Sequence, residues 1–156
     1  MIARIKKKME EYKTNELVRS LYQSIENTDI PKFKSILSKL KNKTSVEETL
    51  PNLLGFVCEN AKAPDILISI LELGIHPDTP NLIGQFPLHL AVENGNEDYV
   101  QILLNSGANP NITDANGVTP LHISYSYDSL GNISDLLLSM GADINIRDHL
   151  GKRYLM

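Results

Sequence analysis

The chain has 156 residues, 42% hydrophobic and 22% charged, which excludes a disordered polypeptide and suffices for one compact domain. Its formal charge of -4 offers no general attraction to phosphate backbones, so nucleic acid drops out of the expected partners. The single cysteine, Cys58, can neither close an internal disulfide nor build a zinc site alone, which suits a reducing compartment, cytosol or nucleus.

Residues 1–13 read as a basic extension. Arg4 and Lys6 to Lys8 break what a signal peptide would need as an apolar run, and no later stretch approaches the length of a membrane span. Ile2, Ile5, Met9 and Tyr12 nevertheless form one apolar stripe beside those cations. Such a stripe serves an interfacial helix or a docking helix, but also a plain helical extension packed on a cap, and the plain reading is preferred. Membrane contact through this stretch is therefore not expected.

Residues 14–47 carry two helical stripes. Leu17, Val18, Leu21, Tyr22 and Ile25 make the first; Pro31, Phe33, Ile36, Leu37 and Leu40 make the second, after an Asn27-Thr28-Asp29 turn. Glu47-Glu48 and, further on, Glu97-Asp98 stand where helices start, complementing the dipole without any need for chemistry. Residues 48–80 form a second unit with Ile66, Ile70-Leu71 and Gly74.

From residue 81 a period emerges. Gly84 with Pro87-Leu88-His89 recurs 33 residues on as Gly117 with Pro120-Leu121-His122, and Gly74-Ile75-His76-Pro77-Asp78 recurs at the same spacing from Gly107. Gly141-Ala142-Asp143-Ile144-Asn145 follows at 34, so one extra residue sits in the unit between. The units run 81–113, 114–147 and a partial 148–156. Residues Asp114, Gly117, Thr119-Pro120-Leu121-His122, Leu137-Leu138 and Gly141-Ala142-Asp143 with Asn145 resemble the ankyrin-repeat pattern. That resemblance is strong over about residues 81 to 151 and fades on both sides: shifting by 33 puts Cys58 under Ala91 and Ile66 under Tyr99, but the threonine-proline-leucine-histidine motif is lost.

The resemblance implies an all-α solenoid of about four helix-turn-helix units with hairpin-like turns, a degenerate N-terminal cap and an incomplete final repeat. Elementary physics agrees. Thr119 suits an N-cap and Pro120 the first helical position, while Gly107 and Gly141 follow paired leucines where a helix ends in a left-handed residue. Phe86 stands where the next unit has Thr119, which forfeits about 1 kcal/mol of capping unless packing restores it.

No catalytic site is expected. His89 and His122 repeat with the fold, and the resemblance gives such histidines a hydrogen-bonding role between units. His76 and His149 lie in turns without a partner at helical spacing, and neither a phosphate loop nor a nucleophile elbow is present. No metal and no cofactor are expected.

The partner is expected to be another protein, met by a chain that is monomeric alone, at positions the repeat leaves free: turn tips and the concave face of the first helices. In the third unit these are Leu82, Ile83, Gln85, Glu93 and Asn94. The fourth contributes Ala115, Asn116, Val118, Ser126 and Tyr127, and the last turn Arg147, His149, Leu150 and Lys152. Leu82-Ile83 and Leu150 are apolar where a solvated tip is usually polar, so they either anchor a partner or pack on one another. Tyr125 and Tyr127, with the serines of 124–132, add contact area; Tyr127 should face the groove and Tyr125 should fill space. An inhibitor, adaptor or assembly factor is the leading role. Abundant Asn, Ile and Lys favour a host-directed effector or viral mimic as the alternative, and a chain stopping soon after Asp148 keeps an excised domain of a larger protein open.

Overall fold

The computed structural model describes residues 15–41, 53–127 and 130–153. The stripe in residues 1–13 and the Glu47-Glu48 pair lie outside them. Among the described residues, eight helices fall into four pairs. A helix over residues 15–26 (α1) is followed by α2 (Ile30–Lys41), and α3 (Leu53–Asn60) by α4 (Pro64–Leu71). The pair α5 (Pro87–Glu93) and α6 (Glu97–Asn105) and the pair α7 (Pro120–Ser126) and α8 (Gly131–Ser139) complete the stack. First helices pack on first helices, α3 on α5 on α7, and second helices on second helices, α2 on α4 on α6 on α8.

Several helices begin or end for a local reason. Pro64, Pro87 and Pro120 occupy the first helical position, where the missing N–H costs nothing. In the second unit the proline thus marks the second helix, not the first. Asn96 caps α6 by accepting from the Tyr99 amide at 3.2 Å, and Glu97 and Asp98 lie in the first turn as expected. Gly107 and Gly141 both take φ +95°, ending α6 and α8.

The core is one continuous apolar column shared by neighbours. Phe33, Ile36, Leu37 and Leu40 of α2 are buried, as are Leu21 and Ile25 of α1, whereas Pro31 is exposed at the start of α2. Cys58 and Ala91 occupy matching buried places, and Ile66 and Tyr99 do the same. Burying a side chain such as Leu88, Leu103 or Leu121 stabilises by about 1.5–3 kcal/mol before ordering costs.

The one-residue insertion is accommodated between α7 and α8. Ser124 to Ser126 remain helical, and Gly131 and Asn132 join the first turn of α8, so the altered segment is shorter than the sequence implies. Ser124 is buried: its hydroxyl donates to the Leu121 carbonyl at 2.9 Å and accepts from Ser134 at 2.9 Å. It therefore closes the α7–α8 contact and offers nothing to a partner.

Candidate functional site

Among the described residues three hairpins are each built on one Asx side chain. In the first, Oδ1 of Asn81 accepts from the amides of Ile83 (3.2 Å) and Gln85 (2.9 Å), while the Asn81 amide donates to the Gln85 carbonyl. Asp114 repeats this with Asn116 and Val118, at 2.8 and 2.9 Å, and Asp148 with Leu150 and Lys152, at 2.9 and 2.8 Å. The last hairpin also carries an antiparallel bridge between Arg147 and Arg153. Each of these short polar side chains satisfies two amides of its own turn, so the turn's shape does not depend on the side chains at its tip.

Histidines fasten the second and third of these hairpins to the unit before them. His89 Nε2 lies 2.8 Å from the Val118 carbonyl and His122 Nε2 lies 3.3 Å from that of Lys152. A carbonyl only accepts, so in both rings Nε2 carries the proton and Nδ1 presents a lone pair. At His122 that lone pair is answered by the Thr119 hydroxyl (2.7 Å) and amide (3.1 Å), while the same hydroxyl caps α7 through the His122 amide at 3.3 Å. At His89 it is not answered: Phe86 lacks the hydroxyl, and Nδ1 of His89 is buried with no hydrogen-bond partner. The Phe86 ring instead lies tilted on the imidazole at 5.8 Å. Burial lowers the His89 pKa, partly offset by its bond to Val118 and by Asp114 and Glu93.

Further bonds lock the stack from the other turns. Asp78 accepts from the Asn109 amide at 3.1 Å, and Asn111 accepts from the Asp143 amide at 2.7 Å. Tyr99, whose phenol burial pushes up to about 12 with Cys58 adding, donates its single O–H between the carbonyls of Ala61 (3.0 Å) and Ala63 (3.1 Å). Cys58 is buried beneath, its thiol pushed up by burial and by Glu59, and so is poorly suited to nucleophilic work. Gly117 is buried at φ +74°, where an added Cβ would meet His149 Cδ2 at 2.7 Å. The His149 amide in turn donates to the Asn116 carbonyl at 2.9 Å. Among the described residues no group of three or more His, Cys, Asp or Glu side chains is placed to hold a metal ion.

The expected contact residues fall into two sets. Gln85, Val118 and Asn94 are partly committed: the Gln85 side chain accepts from Asn81, the Val118 carbonyl holds His89, and Asn94 donates to the Cys58 carbonyl at 3.2 Å. Ser126 bonds back to the His122 carbonyl, Arg147 reaches the Gly151 carbonyl, and the Lys152 backbone serves the last hairpin. Glu93, Ala115, Asn116 and His149 are exposed. Leu82, Ile83 and Leu150 are 72%, 79% and 80% exposed and Tyr127 54%, so the tips do not pack on one another, while Tyr125 is half-buried against the core. Phe56 and Glu59 of α3 escaped the sequence reading. With Asn81, Leu82, Ile83 and Gln85 they line an open groove of about 230 Å³. Tyr22 of α1 fixes the Phe56 ring edge-on at 4.6 Å.

The family model for ankyrin repeats, in three copies, matches residues 54–148. The chain belongs to the ankyrin-repeat family. Among its ankyrin relatives, a putative ankyrin repeat protein of Fowlpox virus is 50% identical over 66 residues, covering 42% of this chain and 19% of that protein. Human Rabankyrin-5 is 48% identical over 69 residues, covering 44% and 6%, and human NF-kappa-B inhibitor alpha is 36% identical over 91, covering 54% and 28%. The chain thus spans less than a third of each of these relatives. Ankyrin repeats are in general non-catalytic protein-interaction modules, and no helix among the described residues is long and apolar enough to cross a membrane.

Proposed function

We propose that this ankyrin stack is a non-catalytic binding module that covers an apolar segment of a partner protein with its hairpin tips and the concave face of its first helices, as an inhibitor, adaptor or assembly factor. The observation that carries this is the exposure of Leu82, Ile83 and Leu150 on turns whose own hydrogen bonds are already satisfied. Three large apolar groups held in water there are what a partner's contact would bury. Tyr127, at the end of α7, adds an aromatic surface with a polar tip.

The test is retention of partner proteins on the immobilised chain, compared between the parent and the pair Leu82→Ser with Tyr127→Ala. Retained proteins should be lost from the variant while its circular dichroism is unchanged. Retention that survives both changes but disappears when residues 1–13 are removed overturns this reading. The likeness to a Fowlpox virus protein favours a second reading, an effector directed at a host protein. Retention of the same protein from extracts of unrelated organisms would speak against it.

A further inference from the structure

We infer that the groove between α3 and the first hairpin receives an apolar side chain of a partner polypeptide that carries a lysine or arginine beside it. This rests on the protein-binding reading and adds the partner's chemistry. The groove is apolar on two sides, with Phe56 held by Tyr22 on one and the exposed Leu82 and Ile83 on the other. The Ile83 amide is taken by Asn81 and the Asn81 side-chain amide by Gln85, so recognition here falls to side chains.

Its electrostatics are one-signed. Glu59 is the one charged residue lining the groove, and among the described residues its carboxylate makes no hydrogen bond or ion pair. Glu59 also lies in the last turn of α3, and Glu93 ends α5; neither helix has a basic residue in its last turn. The carbonyl end of a helix already carries about half a negative charge, so these carboxylates deepen a negative potential that a cation would ordinarily offset there. Lys62 follows the end of α3 by two residues but does not line the groove, and Arg147, Lys152 and Arg153 stand on the last hairpin. An acidic segment in the groove would place like charges together, whereas a basic one brings a cation to the Glu59 carboxylate, which no Lys or Arg of the groove lining faces.

The experiment selects displayed random peptides of about 12 residues on the full chain, then titrates the strongest by fluorescence anisotropy against the parent, Ile83→Ser and Glu59→Gln. Both variants change exposed positions, and circular dichroism checks their fold. Selected peptides should carry Lys or Arg adjacent to Leu, Ile, Met or Phe. Ile83→Ser should weaken them about tenfold, and Glu59→Gln about threefold with a reduced salt dependence. Neutral or acidic peptides that still need Ile83 would overturn the charge inference and leave the protein-binding reading standing. Peptides indifferent to both changes, or no selection at all, would overturn the site. Self-association of the chain that is abolished by Ile83→Ser would mean that a second copy is the occupant, and would overturn it too.

Discussion

A single hydroxyl separates the two best-formed units. Thr119 caps α7 and answers His122 Nδ1; Phe86 does neither, and His89 Nδ1 is left buried and unbonded. Thr119→Val keeps the shape of a 2% exposed residue but removes both bonds, and should cost about 1–2 kcal/mol in urea unfolding, with Thr119→Ser costing much less. His89 has a folded pKa below its usual 6.5, chiefly because burial disfavours the cation. Above that usual value both states are neutral and the stability is complete. As pH falls through it, the unfolded chain binds the proton first, so stability declines until the folded pKa is passed and then levels off. Urea melts at about pH 7.5 and about pH 5 should show a larger loss for the parent than for His89→Gln.

The hairpin is the element on which fold and candidate site meet. Asp114 Oδ1 holds the amides of Asn116 and Val118, and the Val118 carbonyl holds His89, so the turn orders the tip and the junction together. Asp114→Ala should therefore cost about 1–2 kcal/mol. Asp114→Asn should lie within about 0.5 kcal/mol of the parent, because Asn81 performs the same task one unit earlier. Thermal melts of the two variants side by side check the pair. Much of this was legible from residue spacing: the recurring glycines and the proline-leucine-histidine run placed α5, α7 and both histidines. The Phe56–Glu59 groove was not, because its walls come from different units, and Phe56 occupies a stretch in which the repeat motif has decayed. Nor did the sequence show that Ser124 turns inward, since a serine at a helix end is compatible with either side until α8 supplies Ser134.

Across the whole molecule, stability is distributed over junctions between neighbours, and one of them hangs largely on a group that sequence could not reveal. Tyr99 matches Ile66 by position and looks merely apolar, yet its hydroxyl lies between two backbone carbonyls of the preceding unit, at Ala61 and Ala63, while Asn94 reaches the Cys58 carbonyl nearby. Backbone acceptors leave no signature in residue type, which is why this tie is invisible before the chain is folded. Tyr99→Phe keeps the buried ring and takes away the only O–H those carbonyls receive from it. The loss should be about 1–3 kcal/mol. In a stack where each unit contacts only its neighbours, that loss should be local to the junction. Hydrogen exchange should accelerate in α3, α4, α5 and α6, on either side of the lost tie, while α8, fastened through Asn111 to Asp143 and through Ser134 to Ser124, keeps most of its protection. Equal acceleration in all helices would instead mean that the four pairs open as one unit, with the junctions too strongly coupled for any of them to yield alone.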